Sequence, residues 1–94
     1  MHVKWLATAK ENLDSDADFI AKDNPKAAES IVQLVVKKIR VLEQYPFLGR
    51  IGRIPGTREL IISGTPYIVP YRIVEDRIEI LRVIHASREW PKKF

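Results

Sequence analysis

Residues 49–85 read GRIGRIPGTRELIISGTPYIVPYRIVEDRIEILRVIH, and the fold is decided inside that stretch. From Arg58 onward, three runs rich in β-branched and aromatic side chains (RELIIS, YIVPYRIV and RIEILRVIH) are too short to be helices. They read as strands. Gly64-Thr65-Pro66 and Glu75-Asp76 separate them by connections so tight that the three must run as an antiparallel meander, with the sheet formed mainly by residues 58–85. Pro70 has no N–H to give a ladder and belongs at an edge or a bulge. Ahead of the strands, residues 49–58 hold three glycines and three arginines without periodicity, which marks a loop.

Working back from that loop, the period changes from 2 to 3.6. Ala28, Ile31, Val32, Val35, Ile39 and Leu42 recur at helical spacing from Pro25 until Tyr45-Pro46 turns the chain away, so residues 25–44 are expected to be helical. Pro25 suits the first helical position and Asn24 can cap it. An earlier helix, residues 8–22, carries Leu6, Ala9, Leu13, Ala17, Ile20 and Ala21 along one face. Its start is expected at Thr8, with Glu11 three residues on completing a capping box. So short a link between the helices makes them an antiparallel hairpin. His2 to Leu6 reads as a short opening strand. A DNA-reading helix-turn-helix would want a shorter, basic second helix, and that reading is disfavoured.

The 94 residues make one domain, 1–94, with a single two-layer core. The absence of cysteine removes disulfides, thiolate nucleophiles and cysteine zinc sites together. No apolar run approaches the roughly 20 residues needed to span a bilayer, and the opening MHVKWLATAKENL gains charge too soon for a signal peptide. The expectation is a cytoplasmic protein without membrane contact. The net charge of +4 is unevenly placed: residues 1–48 balance seven cations against seven carboxylates, whereas residues 49–94 set nine cations against five. Seven of those nine are arginine, whose planar fork suits phosphate and carboxylate. An anionic partner follows, either nucleic acid or an acidic protein.

Several stretches carry a family likeness: Asn24-Pro25-Lys26-Ala27-Ala28, then PFLGRIGRIPGTRELI, the strand PYIVPYRI, and the closing LRVIHASREWP. In this order and spacing the chain resembles the RelE/ParE toxins of bacterial type II toxin–antitoxin modules, over nearly its whole length. The resemblance implies an α+β fold in which an N-terminal strand and a two-helix antiparallel hairpin pack with a C-terminal three-stranded antiparallel meander. It implies a toxin that arrests growth, as in plasmid stabilisation, until a cognate acidic antitoxin neutralises it as a hetero-oligomer. Two activities run in the family. RelE-like members cleave mRNA on the ribosome, and ParE-like members inhibit DNA gyrase without known nuclease chemistry.

Metal-free RNA cleavage needs a base, an acid and cations for the charge building on phosphate. His85 suits either proton role, since an unperturbed histidine titrates near about 6.5. Arg58, Arg72 and Arg88 are the candidates to grip the scissile phosphate, and together with His85 they make the expected catalytic set. Arg50, Arg53, Arg82, Trp90, Lys92 and Lys93 are the expected RNA contacts, Trp90 by stacking on a base. The resemblance implies lysines before the sheet and a terminal catalytic tyrosine in some RelE-like members; here Arg50, Arg53 and Trp90 stand in those regions. The sequence thus leans towards a ribosome-associated mRNA endoribonuclease, with the gyrase inhibitor as the alternative. Simpler roles stand beside these: His85 closing the last strand by bonding backbone, Arg82 pairing with Glu59 or Glu79, and Glu59 serving as an ion-pair partner. Strict alternation puts Arg82 and His85 on opposite faces unless a bulge intervenes. Trp5, Tyr45, Phe47 and Tyr71 are expected to finish the core or cover the hairpin. Two distant histidines offer no metal-ligand spacing, the loop lacks the lysine of a P-loop, and no cofactor is expected.

Overall fold

The structure, a computed structural model, describes residues 1–94. Its elements follow in the order β1 (His2–Trp5), α1 (Ala7–Ala21), α2 (Pro25–Arg40), a 3-10 turn (Val41–Glu43), β2 (Arg50–Ile51), β3 (Arg58–Ile61), β4 (Tyr67–Val74), β5 (Arg77–Ile80) and β6 (Ile84–His85). The sheet runs β1-β5-β4-β3-β2, with β6 alongside the start of β4. The expected meander β3-β4-β5 is antiparallel, and β1 joins β5 in parallel. Two features were not legible beforehand: the parallel partner of β1 and the short strand β2 inside the arginine-rich loop. No helix is long and apolar enough to cross a membrane.

Local chemistry explains most of the boundaries. Asn24 caps α2, its Oδ1 accepting the Ala27 N–H at 3.1 Å, and Pro25 occupies the first position. The capping box expected at Thr8 is absent, because α1 begins one residue earlier with Leu6 in the cap position and no side-chain cap. Tertiary pairing sets that start: the Leu6 N–H still donates to Ile80 O at 3.0 Å, so the helix begins directly where β1 ends.

One face of the sheet is dry. Leu60, Ile62, Tyr67, Val69, Tyr71, Ile78 and Ile80 pack against Ala9 and Leu13 of α1 and Val35, Ile39 and Leu42 from α2 and its following turn. Trp5 packs partly buried at the margin, but Tyr45 and Phe47 are 61% and 66% exposed and do not close the core as expected. The loop they occupy is instead pinned through Tyr71, whose hydroxyl donates to Pro46 O at 2.7 Å and accepts the Gly49 N–H at 2.9 Å.

Pro70 lies in the central strand, opposite Glu59. Its polar edge points at β5, where Pro70 O accepts the Leu81 N–H at 3.0 Å but the proline has no N–H to return. The ladder breaks there. Four steps of chain from Ile80 to Ile84 lie opposite three from Tyr71 to Ile68, so the bulge falls in the neighbouring segment rather than in β4 itself. Its polar groups find other partners: Arg82 Nη1 donates to Leu81 O at 2.7 Å, and the Val83 N–H donates to Asn12 Oδ1 of α1 at 3.1 Å.

Candidate functional site

The second face of the sheet carries charge instead of helices. Register pairs Arg50 with Glu59 and Arg72 with Glu79, and Arg77 lies two residues before Glu79 on the same strand. The two glutamates are buried at 2% and 5% exposure, while the arginines that cover them are half-exposed. Glu59 accepts from Arg50 Nε and Nη2 at 3.0 and 2.9 Å, from Arg53 Nε and Nη2 at 3.1 and 3.2 Å, and from the Arg53 backbone N–H at 2.8 Å. Glu79 accepts from Arg72 Nε at 2.7 Å and Arg77 Nε at 3.2 Å. Burial pushes the Glu59 carboxyl up, but the Arg53 backbone N–H and the two guanidiniums outweigh it and hold the pKa below the ordinary value of 4.5. The Arg72 hydrogen bond, helped by Arg77, lowers Glu79 in the same direction. Glu59 is therefore an ion-pair hub.

The C-terminal tail folds onto this face. Trp90 stacks on the Arg53 guanidinium at 3.8 Å, Phe94 meets the Trp90 ring edge-on at 6.5 Å, and the Arg82 guanidinium lies over Phe94 at 5.3 Å. The expected pairing of Arg82 with Glu59 or Glu79 does not occur, because both carboxylates are already taken by two arginines each. Trp90 is likewise committed: an arginine, rather than a base, lies against its ring. Lys92 and Lys93 are exposed along the tail.

His85 stands at the far end of the sheet. It pairs with Tyr67 across the ladder and meets that ring edge-on at 5.6 Å. Its Nδ1 accepts the Ser87 N–H at 3.1 Å, with Ser87 Oγ at 2.7 Å, so the ring closes the strand's end much as the simpler role foresaw. Acceptance at Nδ1 places the neutral ring's proton on Nε2. Beside it, Arg88 pairs with the buried Asp16 of α1 and anchors the start of the tail.

The four residues expected to form one catalytic set are thus dispersed. Arg72 and His85 are five residues apart along β4, about 17 Å at the usual strand rise. Arg58 donates to Gly49 O at 2.8 Å and lies over Phe47 at the helix-side end of β3. His85 and Arg88 are neighbours, and Arg58 and Arg72 lie on adjacent strands but on opposite faces of the sheet. Sequence reasoning missed Asn12, which accepts the Val83 N–H at the bulge, and Asp16, the buried partner of Arg88. No three His, Cys, Asp or Glu side chains come together as a metal ion needs.

A family model described as the ParE toxin of the type II toxin–antitoxin system parDE matches residues 3–90. The chain belongs to the ParE toxin family. Among relatives of this ParE-family chain, the candidate toxin Y4kP of Sinorhizobium fredii is 43% identical over 90 residues, covering 96% of this chain and 93% of its own. Toxin RelE2 of Caulobacter vibrioides is 29% identical over 86 residues, covering 92% and 96%. Of solved structures, the chromosomal ParDE toxin–antitoxin system from P. aeruginosa aligns with a TM-score of 0.84 at 31% identity, over 90% of this chain and 95% of that one. The toxin–antitoxin complex RelBE2 from Mycobacterium tuberculosis aligns at 0.59 and 27% identity, over 89% and 95%. The α+β architecture is shared with both, and the chain is a RelE/ParE-superfamily toxin of a type II system.

Proposed function

We propose that this ParE-family toxin arrests growth by binding DNA gyrase in the cytoplasm, rather than by cutting mRNA on the ribosome. The dispersal of the expected nuclease set carries this reading. A base, an acid and a phosphate clamp must all lie within hydrogen-bond reach of one scissile bond, and the backbones of Arg72 and His85, about 17 Å apart along the strand, favour a reading in which they do not serve one. His85 is also engaged structurally: its Nδ1 accepts the Ser87 N–H and its ring meets Tyr67 edge-on, which is the work of a residue closing the strand's end. A toxin that works by binding has no proton to move. The closer likeness to a ParDE toxin than to RelBE2 leans the same way.

The partner is an acidic, largely disordered antitoxin segment that folds onto the arginine-bearing half, in a hetero-oligomer. The cationic excess of residues 49–94 and the toxin–antitoxin complexes formed by relatives support it. Charge complementarity and apolar burial must offset the cost of ordering such a chain.

Inducible expression with separate readouts of translation and supercoiling tests the function. Trapped gyrase and SOS induction, with translation spared at first, are expected, and His85→Ala should still kill while folding and binding antitoxin. Rapid translation arrest with in-frame mRNA cuts, abolished by His85→Ala in a folded, antitoxin-binding protein, would establish the endoribonuclease instead. A proton-transfer role is worth about 10² to 10⁴ in rate, so the two outcomes are well separated.

A further inference from the structure

We propose that the glutamate–arginine face of the sheet docks on the phosphate backbone of duplex DNA; the choice of DNA rests on the gyrase reading above. Arg50, Arg53, Arg72 and Arg77 are each bound to a buried glutamate through Nε, which orients the guanidinium before any ligand arrives. Each keeps terminal nitrogens without a protein partner: Nη1 in Arg50 and Arg53, both terminal nitrogens in Arg72 and Arg77. Preorganised forks with free N–H groups are what phosphate recognition uses.

The spacing suits a duplex. Glu59 and Glu79 flank β4 two residues out of register, which sets the two arginine pairs about 12 Å apart by ordinary sheet geometry. A duplex presents a phosphate for about every 1.7 Å of its axis, so both pairs meet charge in one footprint. Lys92 and Lys93 extend the cationic surface along the tail. Single strands are gripped by open aromatic faces as well as by charge. Here the Trp90 face is occupied by Arg53, and Phe94 lies between Trp90 and Arg82. That leaves backbone contact as the mode this face supports.

Fluorescence anisotropy of purified full-length toxin with a labelled 20-base-pair duplex tests the proposal. Three or four phosphate contacts should weaken binding about 40- to 150-fold between 50 and 200 mM salt. The triple variant R72Q/R77Q/E79Q removes one arginine pair and keeps an amide in place of the buried carboxylate. Checked for folding by circular dichroism, it should bind at least about 10-fold more weakly at 50 mM salt, with a salt slope shallower by about 2. No salt-dependent duplex binding, an unaltered triple variant, or equal or tighter binding of single-stranded RNA would each overturn it. Gyrase supercoiling is assayed in parallel. Inhibition without duplex binding ends this proposal and leaves the gyrase reading standing; duplex binding without inhibition supports the surface and ends the gyrase reading.

Discussion

The two faces of the sheet are built from the same strands and obey opposite chemistry. Towards the helices, most side chains of the strands are aliphatic or aromatic and closed from water; away from them, Glu59 and Glu79 lie beneath arginines. The apolar core and the ion-paired charges thus lie on different sides of one three-strand meander. Apolar burial on the first face needs no partner. The second face buries carboxylates, which is tolerable only because each is met by two cations.

Substitutions on each side should sharpen that contrast, and the largest effect belongs to the dry face. Tyr71→Ala removes a fully buried ring together with its bonds to Pro46 and Gly49, and should cost about 3–5 kcal/mol in denaturant unfolding. Gly49→Ala attacks the same junction, since a Cβ there would stand 2.6 Å from the Tyr71 ring and 2.9 Å from Glu59 O. A variant that unfolded no more easily than the native chain would break the assignment of stability to this face.

On the charged face, Glu59→Ala should cost less, about 1.5–3 kcal/mol, because the freed arginines are half-exposed and regain water while the Arg53 N–H loses its acceptor. The acid limb carries the same signature. Glu59 and Glu79 both have folded pKa values below their ordinary 4.5, so the stability they contribute is present above that value and lost as pH falls through the folded ones. Thermal unfolding should therefore change little from neutral to about pH 5 and weaken below it, less steeply in Glu59→Gln. An equally steep loss in that variant would assign the acid limb to other carboxylates.

The smallest effect joins the two regions. Asn12→Ala strips the Val83 N–H of its acceptor at the bulge and should cost about 1 kcal/mol, measured by denaturant midpoint. A much larger loss would mean that α1 holds the bulge, and not just one hydrogen bond.

Periodicity, proline and asparagine were enough to read the helix hairpin, the cap at Asn24 and the meander, because each depends on residues within a turn or a strand of one another. The start of α1, the parallel seat of β1 and the strand β2 were not legible, since they depend on hydrogen bonds to strands formed tens of residues later. The same holds for the site. Alternation correctly separates Glu59 from Leu60, but it cannot say which of seven arginines will reach a given carboxylate, and Arg82 lost that place to Arg50, Arg53, Arg72 and Arg77. Local propensity and charge were determined by the sequence alone. The distance between His85 and Arg72 was decided only by register, because a ladder sets how far apart along a strand two side chains must stand.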